Sequence, residues 1–414
     1  MPHESIAKDR VSGDDARLYA WLDDRLGPYL EDLGALVNRD CGTRDKAGVD
    51  EVIDWVEARC RSLGASTERR PQANFGDLLL ARWPGAGEGR VLLSGHADTV
   101  YPAGTAAARR MGRAPGDPNR LVGPGVSDMK SGLLTALYAV AALRALGLDR
   151  WSEVAFLCGS EEEVGSPVSR HWLTELAPGF DAGLVLESGR ENGDVVTGRK
   201  GGGFWTVTVA GRAAHAGAEP ERGASAFLQL AHHALAVDAV NGTIPGATVV
   251  IGTARAGEAA NMVPPHAEMT VDGRALDPAG LEALAEAVGG AIARTRGLVP
   301  GTTTTVRGEV TRATMPRGEG SLRLFRLAQD SAAALGLVIG EQVSGGTSDA
   351  NFLAAAGLPV LDGLGPVGGA SHTPDEYLLV DSIVPRTALL AGLILRLTGP
   401  GAPRNLASRA PGDP

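Results

Sequence analysis

Two histidines and a set of carboxylates stand in five short segments of this chain, each ending or bending around a residue type that binds metal. They are SGHADTV (His96, Asp98), GPGVSDMKSG (Asp128), GSEEEVGS (Glu161, Glu162, Glu163), LVLES (Glu187) and GGASHTPDE (His372). Imidazoles with several carboxylates, one of which can bridge, are what two neighbouring divalent cations need. The chemistry such a pair supports is metal-assisted hydrolysis. Four of the five segments follow a short apolar run, so their polar residues are expected at the carboxyl ends of strands. In open α/β sheets that edge is where ligands bind.

Each segment alone has an ordinary reading beside the functional one. His96 and Asp98 stand at i, i+2 and face one side of a strand end. They read as a zinc ligand with a carboxylate fixing its tautomer, or as a histidine satisfied by a neighbouring acid. Asp128, on a glycine-bounded loop before a helix starting near Ser131, can bridge two cations or merely complement the helix dipole. The three glutamates are either a solvated charge run or neighbours that divide metal binding from proton transfer. Glu187 and His372 alone could be a surface carboxylate and a loop histidine. Five such coincidences at one kind of sheet edge decide for the metal site.

The elements that must position these residues follow from apolar periodicity. Helical spacing covers 15–38, with Gly27-Pro28 a kink, and 50–63, which stops at Gly64. Strands DLLLARW, VLLSG, EVAFLCG and AGLVLE alternate with helices at SGLLTALYAVAALRAL and 167–176, the order of a mixed or parallel sheet covered by helices. At Lys200-Gly-Gly-Gly203, read as a hinge, the character changes. The strand FWTVTVAG, the helix AFLQLAHHALAVDAV, the strands ATVVIGTAR and HAEMTVDGRA, the helix DPAGLEALAEAVGGAIART and the strand TTTTVRGEV follow. That β-α-β-β-α-β order is the ferredoxin-like split unit. Beyond residue 312 come a helix at 319–335, a strand around 337–342, a helix at 348–356, LPVLD and a closing helix at 383–397. The metal-type residues all lie outside the middle segment. The expected architecture is therefore a catalytic domain, 1–199 with 312–414, carrying an inserted domain at 200–311.

Composition bounds the function classes. The 414 residues exceed what one hydrophobic core usually serves. A hydrophobic content of 43% with 21% charged residues describes a globular chain. The net charge of −10, with no basic run, argues against a nucleic-acid surface. Cys41, Cys60 and Cys158 form no CxxC pair and suit a reducing compartment. The opening MPHESIAKDRVSGDDAR shows no apolar signal-peptide region, and TALLAGLILRL is broken by Arg396 and too short to span a bilayer. The expectation is a cytoplasmic protein without membrane attachment. The tail GPGAPRNLASRAPGDP is Pro/Gly-rich and expected to be disordered.

The strings GHADTV, GPGVSDMKSG, EEEVGS, LVLES, GRAAHAGAEPERGASA, NMVP, GGTSDAN and GASHTPDEYL run in order through nearly the whole chain. As a set they resemble the co-catalytic dizinc family of glutamate carboxypeptidase, acetylornithine deacetylase, succinyl-diaminopimelate desuccinylase and aminoacylase. AAHAGAEPERGASA leans toward the glutamate carboxypeptidase branch. The resemblance implies a zinc-peptidase-like mixed α/β catalytic domain and a ferredoxin-like α+β lid that makes a homodimer. It implies that Asp128 bridges two zinc ions, with cobalt or manganese as possible substitutes. His96 and Glu187 would complete one site, Glu163 and His372 the other. Glu162 becomes the general base, Asp98 the partner orienting His96, and Glu161 the spare glutamate. His215 of the inserted domain would stabilise the oxyanion, often from the partner subunit, while Asn261 and Arg274 hold the substrate carboxylate. A cis peptide at Asp128-Met129 is implied as well. Cys41 replaces a usual Ser and Ser131 a frequent Gly, and Arg312 and Arg317 do not align securely.

Residues and resemblance together give a zinc-dependent amidohydrolase acting on a small peptide or N-acyl amino acid beside a free carboxylate. A glutamate-carboxypeptidase-like metallopeptidase is favoured. An N-acyl amino acid deacylase is the rival within enzymes, and an inactive peptide-binding or scaffold relative the rival outside them. A nucleophilic hydrolase is weaker, with no GxSxG present and Cys158 inside an apolar strand. The Gly-rich 198–203 stretch lacks the following helix a nucleotide site requires.

Overall fold

The computed structural model describes residues 13–399 and residue 402; the opening segment before residue 13 and nearly all of the Pro/Gly-rich tail lie outside the described residues. The chain divides into two compact units, one of 1–197, 317–343 and 348–414, the other of 198–316 and 344–347.

The first unit is built on a six-stranded mixed sheet in the order Ser66–Arg70, Leu78–Pro84, Trp151–Gly159, Glu88–His96, Ala182–Val185, Val360–Leu361. The last four strands run parallel to one another, and Leu78–Pro84 runs antiparallel to both of its neighbours. The central strands read as unbroken apolar runs because helices cover both faces. Val91, Leu93, Phe156 and Leu184 point into the larger core, shared with the helices Ser131–Ala145 and Ile383–Thr398. Those two helices bury residues on every side, so their sequences show little amphipathic pattern. The opposite face is covered by Ala350–Ala355, whose Leu353 packs over Gly183.

Most elements match the sequence reading, and the differences have local causes. The helix over 15–38 is two helices, Gly13–Asp23 and Leu26–Val37. The break falls just before Gly27-Pro28, so Pro28 sits in a first turn, where no backbone N–H is missed. The strand expected at 337–342 lies at Glu341–Ser344 instead, and Val338 is 98% exposed with nothing to pack on. A second sheet went unread. It joins Gly368–Gly369, Tyr377–Leu379, Asp117–Val122 and Gly112–Ala114, strands of two to six residues without apolar alternation.

The second unit is a four-stranded antiparallel sheet in the order Thr248–Ala256, His266–Ala275, Gly201–Ala210, Thr303–Arg312. Helices Ala226–Asp238 and Pro278–Thr295 pack on the face of Val207, Val209, Met269 and Val271. This is the ferredoxin-like strand order. The glycines read as a hinge lie in a strand that starts just after the boundary between the units. Gly201–Gly203 open a strand and are buried; all three pair with His266–Ala275, and Gly202 and Gly203 also with Thr303–Arg312. A Cβ on Gly201 or Gly203 would come within 2.7 Å or 2.6 Å of the adjacent backbone, so close strand approach explains them. Among the described residues no helix is long and apolar enough to cross a membrane.

Candidate metal centre

Three neighbouring parallel strands deliver candidate ligands to one edge. His96 ends Glu88–His96 and is paired with Gly159 of the next strand, while Ser94 is paired with Val185, two residues before Glu187. Glu162 and Glu163 follow Gly159 in a short 3₁₀ turn, Glu162–Val164. Asp128 arrives from the side, in the turn Val126–Lys130 that leads into the helix Ser131–Ala145, and its peptide bond to Met129 is cis as expected. His372 departs from the expectation of strand ends on one sheet. It stands between Gly368–Gly369 and Tyr377–Leu379 of the second sheet, at a φ of 66°.

The side chains converge in two overlapping groups, His96 with Asp128 and Glu187, and Asp128 with Glu163 and His372. Asp128 belongs to both and turns one oxygen to each. Its Oδ1 is 3.3 Å from His96 Nε2, and its Oδ2 is 3.4 Å from His372 Nε2. His96 Nε2 is 3.6 Å from Glu187 Oε1, and His372 Nε2 is 3.0 Å from Glu163 Oε2.

Charge this dense and this buried perturbs every member. Burial pushes the Glu163 carboxyl up to about 7 against the pull of His372. Burial and then Asp128 raise Glu187 too. Burial alone would lower His96, but Asp128, Asp98 and Glu187 outweigh it and hold the imidazole well above its ordinary range. Asp128 and Glu163 lift His372 to about 10. Burial would raise Asp128, yet the two histidines hold it well below the usual carboxylate range. Histidine and carboxylate nitrogen and oxygen donors are the set that divalent zinc, cobalt or manganese accepts. His96 Nε2 and Glu163 Oε1 are also buried without a hydrogen-bond partner, and a cation at each group would satisfy them. The residues therefore fit two metal ions, with Asp128 able to serve both.

The support around the ligands is more extensive than the sequence reading had it. Asp98 is fully buried, with Oδ1 3.2 Å from His96 Nδ1. It also accepts hydrogen bonds from Thr43 Oγ1 (2.6 Å) and from the backbone N–H groups of Glu162 (3.1 Å) and Glu163 (3.3 Å). Asp98 thus aims the histidine, with its backbone oxygen 3.1 Å from His96 Nδ1 as well as through its carboxylate, and fixes the glutamate turn. Glu161, the spare glutamate, is a buried brace that accepts from the backbone N–H of Ser160, Val168 and Ser169. Glu376 was missed. It is 1% exposed and accepts from the N–H of Gly125, Ser127 and Asp128 and from the Tyr101 hydroxyl. The only signal was an acid wedged between Pro374-Asp375 and the strand Tyr377–Leu379 in the GASHTPDEYL string. Glu376→Ala should leave three backbone donors beside Asp128 without acceptors, at about 1–3 kcal/mol each. A melting temperature lowered by many degrees, with weaker metal retention, is the expected result. An unchanged melting temperature would show that water replaces the brace.

The remaining site residues of the sequence reading lie in the second unit. His215 is exposed, and its Nδ1 accepts from the N–H of Gly217 (3.2 Å) and Ala218 (3.1 Å), so the neutral ring carries its proton on Nε2. Asn261 is its neighbour, accepting at its backbone oxygen from Ala216 N (2.9 Å). Arg274 is gripped by Asp272, with Nη2 2.9 Å from Oδ2, and donates from Nη1 to Gly345 O (3.1 Å). Arg312 donates to Thr347 Oγ1 (2.9 Å), and Arg317 is paired with Glu341 in the first unit.

The chain is similar to known proteins over most of its length. Carboxypeptidase G2 of Pseudomonas sp. (strain RS-16) is 28% identical over 388 residues, 92% of either chain. A succinyl-diaminopimelate desuccinylase of Leptothrix cholodnii is 30% identical over 380 residues, 86% of this chain and 96% of that one. The crystal structure of a tripeptidase from Staphylococcus aureus superposes with a TM-score of 0.76 at 20% identity, covering 89% of this chain and 97% of that one. Residues 92–396 match the family described as Peptidase family M20/M25/M40, and the chain belongs to it.

Proposed function

We propose that this protein is a dizinc hydrolase that cuts an amide bond next to a free carboxylate, in the manner of a glutamate carboxypeptidase. The observation that carries the reading is the pair of overlapping ligand groups that share Asp128. His96 and Glu187 would hold one ion with Asp128, and Glu163 and His372 would hold the other. When bound, such a pair supplies Lewis-acid chemistry, acidifying a water and polarising the amide carbonyl. Glu162, fixed at its backbone by Asp98, accepts the proton of the attacking water and returns it to the leaving amine. Asp98 keeps the His96 ring turned with Nε2 toward Asp128. His215 offers an Nε2–H donor, the group an oxyanion requires. Asn261 and Arg274 read the substrate carboxylate.

The open edge strand Thr248–Ala256 and the exposed Phe227 and Leu235 support a homodimer through the second unit. Relatives named as carboxypeptidase and as deacetylase stand at 28–29% identity, which supports hydrolysis of N-acyl amino acids as the second reading of the same site. Gently purified protein should carry about two equivalents of divalent metal. Chelation should abolish release of glutamate from C-terminal glutamate peptides and N-acyl glutamates. Full activity after verified metal removal would end the dizinc reading.

A further inference from the structure

A cavity of about 520 Å³ opens in the first unit directly beside the candidate metal centre, with Glu163 forming part of its wall. Its other walls are mostly apolar, from Val100, Pro102, Ala103, Val164 and the ring of Tyr101. Val100 is 40% and Val164 46% exposed, large fractions for branched aliphatic residues that sit in one concavity. The wall is rigidly built. The Tyr101 hydroxyl lies 2.8 Å from both Thr373 O and Glu376 Oε2, and the Arg109 guanidinium covers its ring at 4.8 Å. Thr43, also in the lining, is locked to Asp98 and to the backbone of Thr99. A Cβ on Gly42 would come within 2.3 Å of Tyr101 O, which shows how closely the two walls approach.

Among the described residues Arg44 is the one basic residue lining this cavity. It is exposed, and among the described residues no ion pair or hydrogen bond engages its guanidinium. The neighbouring acid, Asp45, is already used as the cap of the helix Lys46–Ser62, accepting from Gly48 N. Glu163 turns its Oε2 to His372. A positive fork over an apolar wall suits a group with an aliphatic body and an anionic end.

We propose that this cavity receives the acyl side of the substrate and that Arg44 selects acyl groups ending in a second carboxylate. The proposal rests on the hydrolase reading above, in which Asn261 and Arg274 take the carboxylate of the leaving residue. That assignment leaves the cavity beside Glu163 for the other side of the scissile bond. The ligand class is thus a half-amide of a short dicarboxylic acid, or a residue with an acidic side chain preceding the bond.

Two substrates with the same leaving residue and the same acyl length isolate the effect: N-pentanoyl-glutamate and N-(4-carboxybutanoyl)-glutamate. The unmodified protein should favour the second by about tenfold or more in kcat/KM, chiefly through KM. Arg44→Gln should bring the ratio near one, and Arg44→Glu should invert it. Because each ratio is internal to one protein sample, partial loss of folded protein cancels. A ratio that stays the same in both variants would overturn the proposal. Should neither compound be cut by metal-loaded protein, the hydrolase reading fails separately. The ratio of dissociation constants for the same two compounds, by calorimetry, then decides the role of Arg44. A preference lost in Arg44→Gln upholds the proposal, and equal binding by the unmodified protein removes it.

Discussion

Glu162→Gln should keep both metals and lose turnover by a factor on the order of 10² or more, because it deletes only a proton acceptor. Glu163→Ala should behave differently and release one metal. The two residues are adjacent in the 3₁₀ turn Glu162–Val164, yet they have different surroundings. Glu163 reaches His372 at 3.0 Å with one oxygen and leaves the other buried without a partner. It belongs to one of the two ligand groups, and Glu162 belongs to neither. The substitution to Gln preserves the size and shape of the side chain at 162 and removes its carboxylate. Metal analysis together with kcat on an N-acyl glutamate separates the two roles. An emptied site in Glu162→Gln with both metals kept in Glu163→Ala would show that the register is displaced by one residue.

What the sequence revealed of this site, and what it hid, follows from where each residue sits. His96, Glu163 and Glu187 were legible because each follows a strand buried on both faces, whose unbroken apolar run ends abruptly at a polar residue. Asp128 was legible from the glycines around it, and the backbone at Gly125, with φ of 72°, needs one. Glu376 and the second role of Asp98 were hidden, because both act on backbone N–H groups of distant segments. Glu376 bonds to residues about 250 positions away, and no periodicity records such a pairing. The small second sheet was unreadable for a related reason. Its strands are too short to alternate, yet it carries the loop of His372 and the segment entering the Asp128 turn. The glycines at 201–203 were read from composition alone. They mark close strand packing, which composition alone does not distinguish from a flexible joint.

Arg274→Ala should cost roughly 2–5 kcal/mol in kcat/KM toward substrates with a free carboxylate, much of it from leaving that carboxylate unpaired. Toward the corresponding amides the loss should be much smaller, so the gap between acid and amide narrows. The structure sharpens the expectation. Arg274 does not swing free: Asp272 engages Nε at 3.1 Å and Nη2 at 2.9 Å, and Gly345 O engages Nη1 at 3.1 Å. A guanidinium has five N–H groups, so three are taken and two are left, one on each terminal nitrogen. Those two are the donors that would form a fork for a substrate carboxylate. Asp272 then acts as the brace that pre-orients the fork, and it lies on the same strand, two residues away and on the same face. Arg274→Lys should recover little, since an ammonium cannot satisfy Asp272 and present a planar pair of donors together. The measurement is kcat/KM for a glutamate-terminated substrate and its α-amide, in parent and variant. Equal hydrolysis of acid and amide by the parent would refute carboxylate recognition. The protein would then be an amide hydrolase that does not read the carboxylate beside the scissile bond, and the assignment of the Arg44 cavity to the acyl side would fall with it.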